Sequence, residues 1–282
     1  MPPFGKDTMT ASDPQRMPRF DDTHTLTAEV VRSYQENGFV MLRALATRPE
    51  VDAYRPLIQE AVREKFERQE IEGRKGGYGR FFTQVTNIWR LDARLQGLVF
   101  ARRFAKVAAD LMGVPGVRLY HDQALFKPAG GSATPWHQDQ VYWPLDTTHT
   151  VTLWMPLVDA PRDMGTMSFA AGSHREGPLL NIAISDESQQ QFERLVRERR
   201  FPIVDHELKA GDATLHAGWT VHSSHPNSSD RTREVLAIIY YADGTRIMNP
   251  DSEYRRVDME AFHPGQKPGD LAASPLNPLL FP

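Results

Sequence analysis

Val117-Arg118-Leu119-Tyr120, Ala124-Leu125-Phe126 and Val151-Thr152-Leu153-Trp154-Met155 are short runs rich in β-branched and aromatic residues, separated by Pro and Gly turns. Branched and aromatic side chains pack well on a pleated surface, so the runs read as strands. Met167-Ser168-Phe169, Ala213-Thr214-Leu215 and Glu234 to Tyr241 continue the series. Strands at these intervals predict a mainly β core, a barrel or sandwich, over about residues 116–245. A charged stretch from Asp186 to Arg200 has helical character and interrupts it.

Upstream the period is helical. Val30, Val31 and Tyr34 share one face, Gly38 supplies a stop, and Phe39-Val40-Met41-Leu42 follows as a short buried strand. Thr47-Arg48-Pro49-Glu50 has capping-box spacing and opens a second helix, which Pro56 should kink or delay. Residues 91–112 return to helical spacing and Gly113 closes them. The helical portion therefore runs to about residue 113. A tail over 1–23 and one domain over 24–282 are expected, with a C-terminal extension after the β core that carries no signal.

The 40% hydrophobic content suits a soluble globular chain. A formal charge of −3 gives no electrostatic case for nucleic acid or an anionic membrane. With no cysteine, any metal must be held by nitrogen and oxygen. There is no apolar run long enough to span a bilayer and no secretory leader, so a cytoplasmic protein is expected. The glycine-rich segment Gly73 to Gly79 lacks the GK[ST] of a phosphate loop and reads as a loop. It and residues 174–202 are candidate covers for a site.

The chemistry gathers at His137-Gln138-Asp139. On extended backbone, residues i and i+2 point the same way, so an imidazole and a carboxylate can meet one ion. The pair alone could equally be two polar residues at a strand edge. A third ligand would come from His216 or His222, which share strand parity and are not separated by alternation. His149, His174, His206 and His263 read as surface or structural residues. Two histidines and one carboxylate leave three positions open on a metal, an arrangement shared by oxygen-activating iron sites and zinc hydrolases. Arg231 or Arg233 could hold the far carboxylate of a chelating co-substrate through its planar fork.

Several linked motifs now point one way. Tyr120-His121-Asp122-Gln123, Lys127-Pro128 and Trp136-His137-Gln138-Asp139 resemble segments of the phytanoyl-CoA dioxygenase family. So do Thr152 to Leu157, Gly165 to Phe169 with Gly172-Ser173-His174, and Gly211-Asp212 followed by His222-Ser223-Ser224, Asn227-Ser228 and Arg233. The resemblance implies a double-stranded β-helix (jelly-roll, cupin-like) core with N-terminal helices packed on it. It implies an iron(II)- and 2-oxoglutarate-dependent dioxygenase that uses O2 and releases succinate and CO2. Carried over, it makes His137, Asp139 and His222 the iron ligands and Arg233 the anchor for 2-oxoglutarate. Ser224 would support the same carboxylate, with Gln123 and Trp154 near the co-substrate. Lys127 would either join them or lie at the surface. Asn227 reads as a brace for its loop.

Family members that halogenate have a small residue in place of the carboxylate ligand; with Asp139 present, hydroxylation or a related oxidation is expected. Tyr142, Trp143, Phe81 and Phe82 would line an apolar pocket for a small-molecule substrate, a secondary metabolite or acyl derivative. A divalent-metal hydrolase or isomerase, or a non-catalytic binding barrel, are the alternatives. Oligomeric state is not legible.

Overall fold

The structure is a computed structural model and describes residues 17–71 and 83–282. The expected loop Gly73 to Gly79 and the pocket candidates Phe81 and Phe82 lie outside the described residues. Helix α1 (Ala28–Asn37) leads into strand β1 (Phe39–Leu42), then helix α2 (Arg48–Ile71) and strand β2 (Thr83–Thr86). Gly38 ends α1 with φ at 80° and donates its N–H to Tyr34. A Cβ there would also lie 2.4 Å from the His174 ring, so the turn needs glycine twice over. Thr47 and Glu50 form the expected cap: the Thr47 N–H donates to Glu50 Oε2 at 2.7 Å. Pro56 neither delays nor stops α2.

The helix expected over 91–112 is broken. Asp92 accepts the Arg94 N–H and sets up a tight turn over Ala93–Leu95. A short helix α3 (Gln96–Val99) follows, and Ala101 leaves helical backbone before α4 (Arg102–Met112) begins. Part of the expected tail is anchored. Phe20 is buried, with its ring centroid 5.0 Å from Phe104 and 5.9 Å from Tyr54, and Arg103 lies over its face.

Beyond α4 the chain is mostly strand: β3 (Val117–Lys127), β4 (Thr134–His137), β5 (Thr150–Pro156) and β6 (Met167–Ala170). Helix α5 (Asp186–Arg199) precedes β7 (Ile203–Asp205), β8 (Ala213–Ala217), β9 (His222–Ser224) and β10 (Arg233–Ala242). The region after Asp243, without signal in the sequence, forms helix α6 (Glu253–Phe262) and strand β11 (Leu279–Phe281). The large sheet runs β1-β8-β5-β10-β3-β11, with β2 also on β3, and the small sheet runs β4-β9-β6-β7. All pairings are antiparallel. The two sheets form a jelly-roll, the double-stranded β-helix, with the N-terminal helices on the outer face of the large sheet.

Alternation assigns the two faces of that sheet. Leu153 and Met155 of β5, with Leu236, Ile238 and Tyr240 of β10, join the core beneath α1, α2 and α4. Fully burying one such side chain contributes about 1.5–3 kcal/mol. Trp154, Val235 and Ala237 point the other way, between the sheets. β3 was expected as two strands because His121-Asp122-Gln123 interrupts its apolar pattern. It runs on through the polar residues, two of which find partners in place: Asp122 Oδ2 accepts the Ile88 N–H at 2.9 Å and Gln123 Oε1 accepts from Gln84 Nε2.

The register of β3 against β10 shifts between Ile239 and Tyr240, leaving Tyr120 as the extra residue. Such a bulge re-aims side chains. Leu119 therefore packs under the helices, while Tyr120 joins Trp143, Ile239 and Tyr241 on the inner side. Among the described residues no helix is long and apolar enough to cross a membrane.

Candidate active site

His137 closes β4 and His222 opens β9, and the two are register partners across the small sheet. Gln138 keeps extended backbone, so Asp139 returns to the same side as it enters a single tight turn. The Gln138 side chain takes the opposite side, donating to Gly177 and Trp219 carbonyls and accepting the Leu179 N–H. Asp139 Oδ1 lies 3.4 Å from His137 Nε2 and 3.6 Å from His222 Nε2. One donor atom from each residue lies within 4.8 Å of the others.

The outward nitrogens fix the tautomers. His137 Nδ1 sits 2.7 Å from the Pro135 carbonyl and His222 Nδ1 2.9 Å from the Thr220 carbonyl. A carbonyl only accepts, so each Nδ1 carries a proton, and Nε2 is the nitrogen that each ring turns toward Asp139 and would offer to a metal. Burial, with His137 close by, holds His222 well below the ordinary imidazole range and therefore neutral. Burial pushes the Asp139 carboxyl up, but His222, His137 and His216 outweigh it and hold it well below the carboxylate range. Two imidazoles and one carboxylate, with no sulfur, suit a divalent first-row ion. The donor set fits iron(II).

His216, the other candidate third ligand, faces the second oxygen. It pairs with Thr152 across β8 and β5, and both reach Asp139 Oδ2: His216 Nε2 at 3.3 Å, the Thr152 hydroxyl at 3.0 Å. Asp139 is thus held by one oxygen while the other faces the histidine pair. Sequence parity gave no way to see this division, because it depends on which sheet each histidine belongs to.

Beside these donors lie two buried cations. Arg233 opens β10 opposite Lys127, the last residue of β3. The Arg233 guanidinium sits 5.2 Å above the Trp154 ring, donates from Nη1 to the Gly165 carbonyl at 2.5 Å, and has a buried Nε with no partner. Burial pulls it down to about 9. Lys127 donates to Ser224 Oγ at 2.7 Å and to the His225 carbonyl at 2.8 Å. It is fully buried, which corrects the expectation of a surface position. Burial and then the charge of Arg233 pull it down to about 6. Among the described residues no carboxylate pairs with either. Arg231 is exposed.

Asn227 fixes this corner, its amide donating to the carbonyls of Lys127, Pro128 and Arg231. Asn227→Ala would remove the donor that ties the Lys127 and Arg231 carbonyls together and is expected to lower stability by about 2 kcal/mol, read as a lower urea midpoint.

The triad and Arg233 line one cavity of about 230 Å³ between the sheets, together with Ser224, Gln123, Trp154, Tyr142 and Trp143; Lys127 lies behind Ser224. Gln123 is held by Gln84 of β2 at 2.5 Å. Among the wall residues that sequence reading did not single out are Gln84, His121, Asp258 and Phe262. The bulge reverses parity beside His121, and α6, which carries Asp258 and Phe262, has only Ser252 as its N-cap signal.

A family model described as phytanoyl-CoA dioxygenase matches residues 34–235. A probable alpha-ketoglutarate-dependent hypophosphite dioxygenase of Stutzerimonas stutzeri is 24% identical over 225 residues, covering 76% of this chain and 78% of its own. A 2-aminoethylphosphonate dioxygenase of the uncultured bacterium HF130_AEPn_1 is 23% identical over 226 residues, covering 76% and 81%. Among solved structures, SnoK, a non-heme alpha ketoglutarate dependent carbocyclase from nogalamycin biosynthesis, superposes with a TM-score of 0.72. It is 27% identical and covers 90% of this chain and 96% of its own. The matched residues take in β1 to the start of β10, every donor around Asp139 and both buried cations; the chain belongs to the phytanoyl-CoA dioxygenase family.

Proposed function

We propose that His137, Asp139 and His222 hold iron(II) in a 2-oxoglutarate-dependent dioxygenase, and that Arg233, aided by Lys127 and Ser224, holds the distal carboxylate of 2-oxoglutarate. The observation that carries this reading is the pair of buried cations without a carboxylate, beside a donor set of two imidazoles and one carboxylate. Burial disfavours the charged form of both groups, most of all Lys127, and a dicarboxylate beside them would restore it. Bound at the triad, iron(II) supplies the activation of O2 that couples decarboxylation of 2-oxoglutarate to oxidation of a substrate C–H bond.

The chain's own groups do the positioning. Arg233 offers its free Nε edge to the carboxylate while the Gly165 carbonyl steadies Nη1. Lys127, already hydrogen-bonded to Ser224, steadies that hydroxyl and would take up a proton beside a bound carboxylate. Trp154 covers the guanidinium and keeps water from it. Thr152 and His216 keep the Asp139 carboxylate from turning. A hydrolase using the same three ligands would leave Arg233 and Lys127 without an anion. Retention of Asp139 favours hydroxylation or a related oxidation over halogenation. The substrate is a small molecule, of the secondary-metabolite or acyl-derivative kind, and the relatives' hypophosphite, aminoethylphosphonate and nogalamycin chemistry is in keeping with this size.

The test is iron(II)-dependent conversion of 2-oxoglutarate to succinate by the purified chain under O2. Succinate above the metal-free background is expected, with zinc(II) giving none. Absence of both turnover and 2-oxoglutarate binding at millimolar concentration would sink the reading.

A further inference from the structure

Along β10 the chain runs about 20 Å from Arg233 to Ile239, so the cavity has a second end that the two cations do not reach. His121 pairs with Ile239 there, and its ring stacks on Phe262 at 4.3 Å between centroids. Trp143 and Tyr142 complete the wall. The charged group at this end is Asp258 of α6. Its Oδ2 accepts the Tyr120 hydroxyl at 2.8 Å. Among the described residues no cation pairs with it.

The neighbouring cations of α6 are committed elsewhere. Arg255 donates to the Val141 carbonyl and to Asp251, and Arg256 pairs with Glu253. Arg233 is the only Lys or Arg among the described residues lining the cavity. Burial pulls His121 down to about 4, so it adds no positive charge. Burial, with Asp139 adding to it, pushes Asp258 up to about 7 despite the Tyr120 hydrogen bond. The carboxylate is short of a partner.

Resting on the function proposed above, we propose that this end of the cavity binds a protonated amine carried on an apolar, ring-bearing substrate, with Asp258 as its counter-ion. Two properties of the wall fit that ligand together. A carboxylate in a largely desolvated place is stabilised by an ammonium that brings both charge and N–H donors. The faces of Tyr142, Trp143 and Phe262 attract a cation and accept an apolar body. Anions are disfavoured, since the described wall offers them two carboxylates and no cation outside the Arg233 corner. Asp258 is therefore a specificity-determining residue. Tyr120, which fixes the carboxylate, acts through it as a positioning residue.

Three probes of one shape separate the possibilities: 1-naphthylmethylamine, 1-naphthylmethanol and 1-naphthoate. Each is titrated calorimetrically into the full chain, anaerobically, with and without iron(II) and 2-oxoglutarate. The amine is expected to bind at least about tenfold tighter than the alcohol, and the naphthoate weakest. In Asp258→Asn the amine and alcohol should fall within about threefold of each other. Equal affinity of amine and alcohol in the unaltered chain, or preference for the naphthoate, overturns the proposal whether or not the variant folds. Amine preference surviving in Asp258→Asn removes Asp258 from it. Because the probes report binding without turnover, amine preference in a protein that makes no succinate would count against the oxygenase reading and for this one.

Discussion

Asp139→Ala is expected to lower iron(II)-dependent succinate formation by about a thousandfold, more than the 10–100-fold that loss of an outer-shell partner costs. The triad has one anion. Its Oδ1 lies 3.4 Å and 3.6 Å from the two imidazole nitrogens, and its Oδ2 is held by Thr152 and His216. Alanine leaves two neutral histidines facing a hole, which bind a divalent ion weakly. It also strands the Thr152 hydroxyl and His216 Nε2 in a buried site. Iron(II) affinity, measured by equilibrium titration, should fall in parallel with turnover. A variant that keeps a tenth of wild-type turnover would show that the metal is held elsewhere.

Arg233→Met is expected to raise the concentration of 2-oxoglutarate needed for half-maximal turnover by about a hundredfold, as when one partner of a buried charged contact is truncated. The same change should stabilise the ligand-free protein by about 1 kcal/mol, because it removes a desolvated cation that no carboxylate offsets. Burial pulls that guanidinium down to about 9, and its Nε has no partner. Weaker co-substrate binding with a higher urea midpoint is a signature of a site built for an anion. A purely structural arginine would lose stability on replacement, so a lower midpoint with unchanged 2-oxoglutarate dependence would refute the assignment.

Legibility in the sequence followed periodicity. The β5 and β10 runs announce themselves because a strand buried on both faces reads as continuous Val, Leu, Ile and aromatics. The step from His137 to Asp139 was legible because extended backbone at Gln138 repeats every two residues. Three things escaped that logic. The bulge at Tyr120 reverses parity mid-strand, so alternation counted from Val117 misplaces His121. His216 and His222 differ by sheet, a tertiary property that no local period encodes. Helix α6 does not concentrate its apolar residues on one buried face, since Val257 is exposed while Met259 and Phe262 pack beside the cavity, and its Asp258 looks like any surface acid. Resemblance to the family, by contrast, singled out Arg233 over Arg231, and the burial of the one and exposure of the other agree with it.

Helix α6 begins at Glu253, beyond the residues matched by the family model. It is docked by Arg255 on the Val141 carbonyl, Tyr254 edge-on against Tyr142, Asp258 on Tyr120 and Phe262 stacked on His121. The His137–Asp139–His222 cluster and part of the cavity wall beside it are therefore written in separate stretches of the sequence. On the assignments proposed above, substitutions in 253–262 are expected to retune the choice of substrate while the strands carrying His137, His222 and Arg233 stay as they are. For an engineer, that helix is the place to exchange.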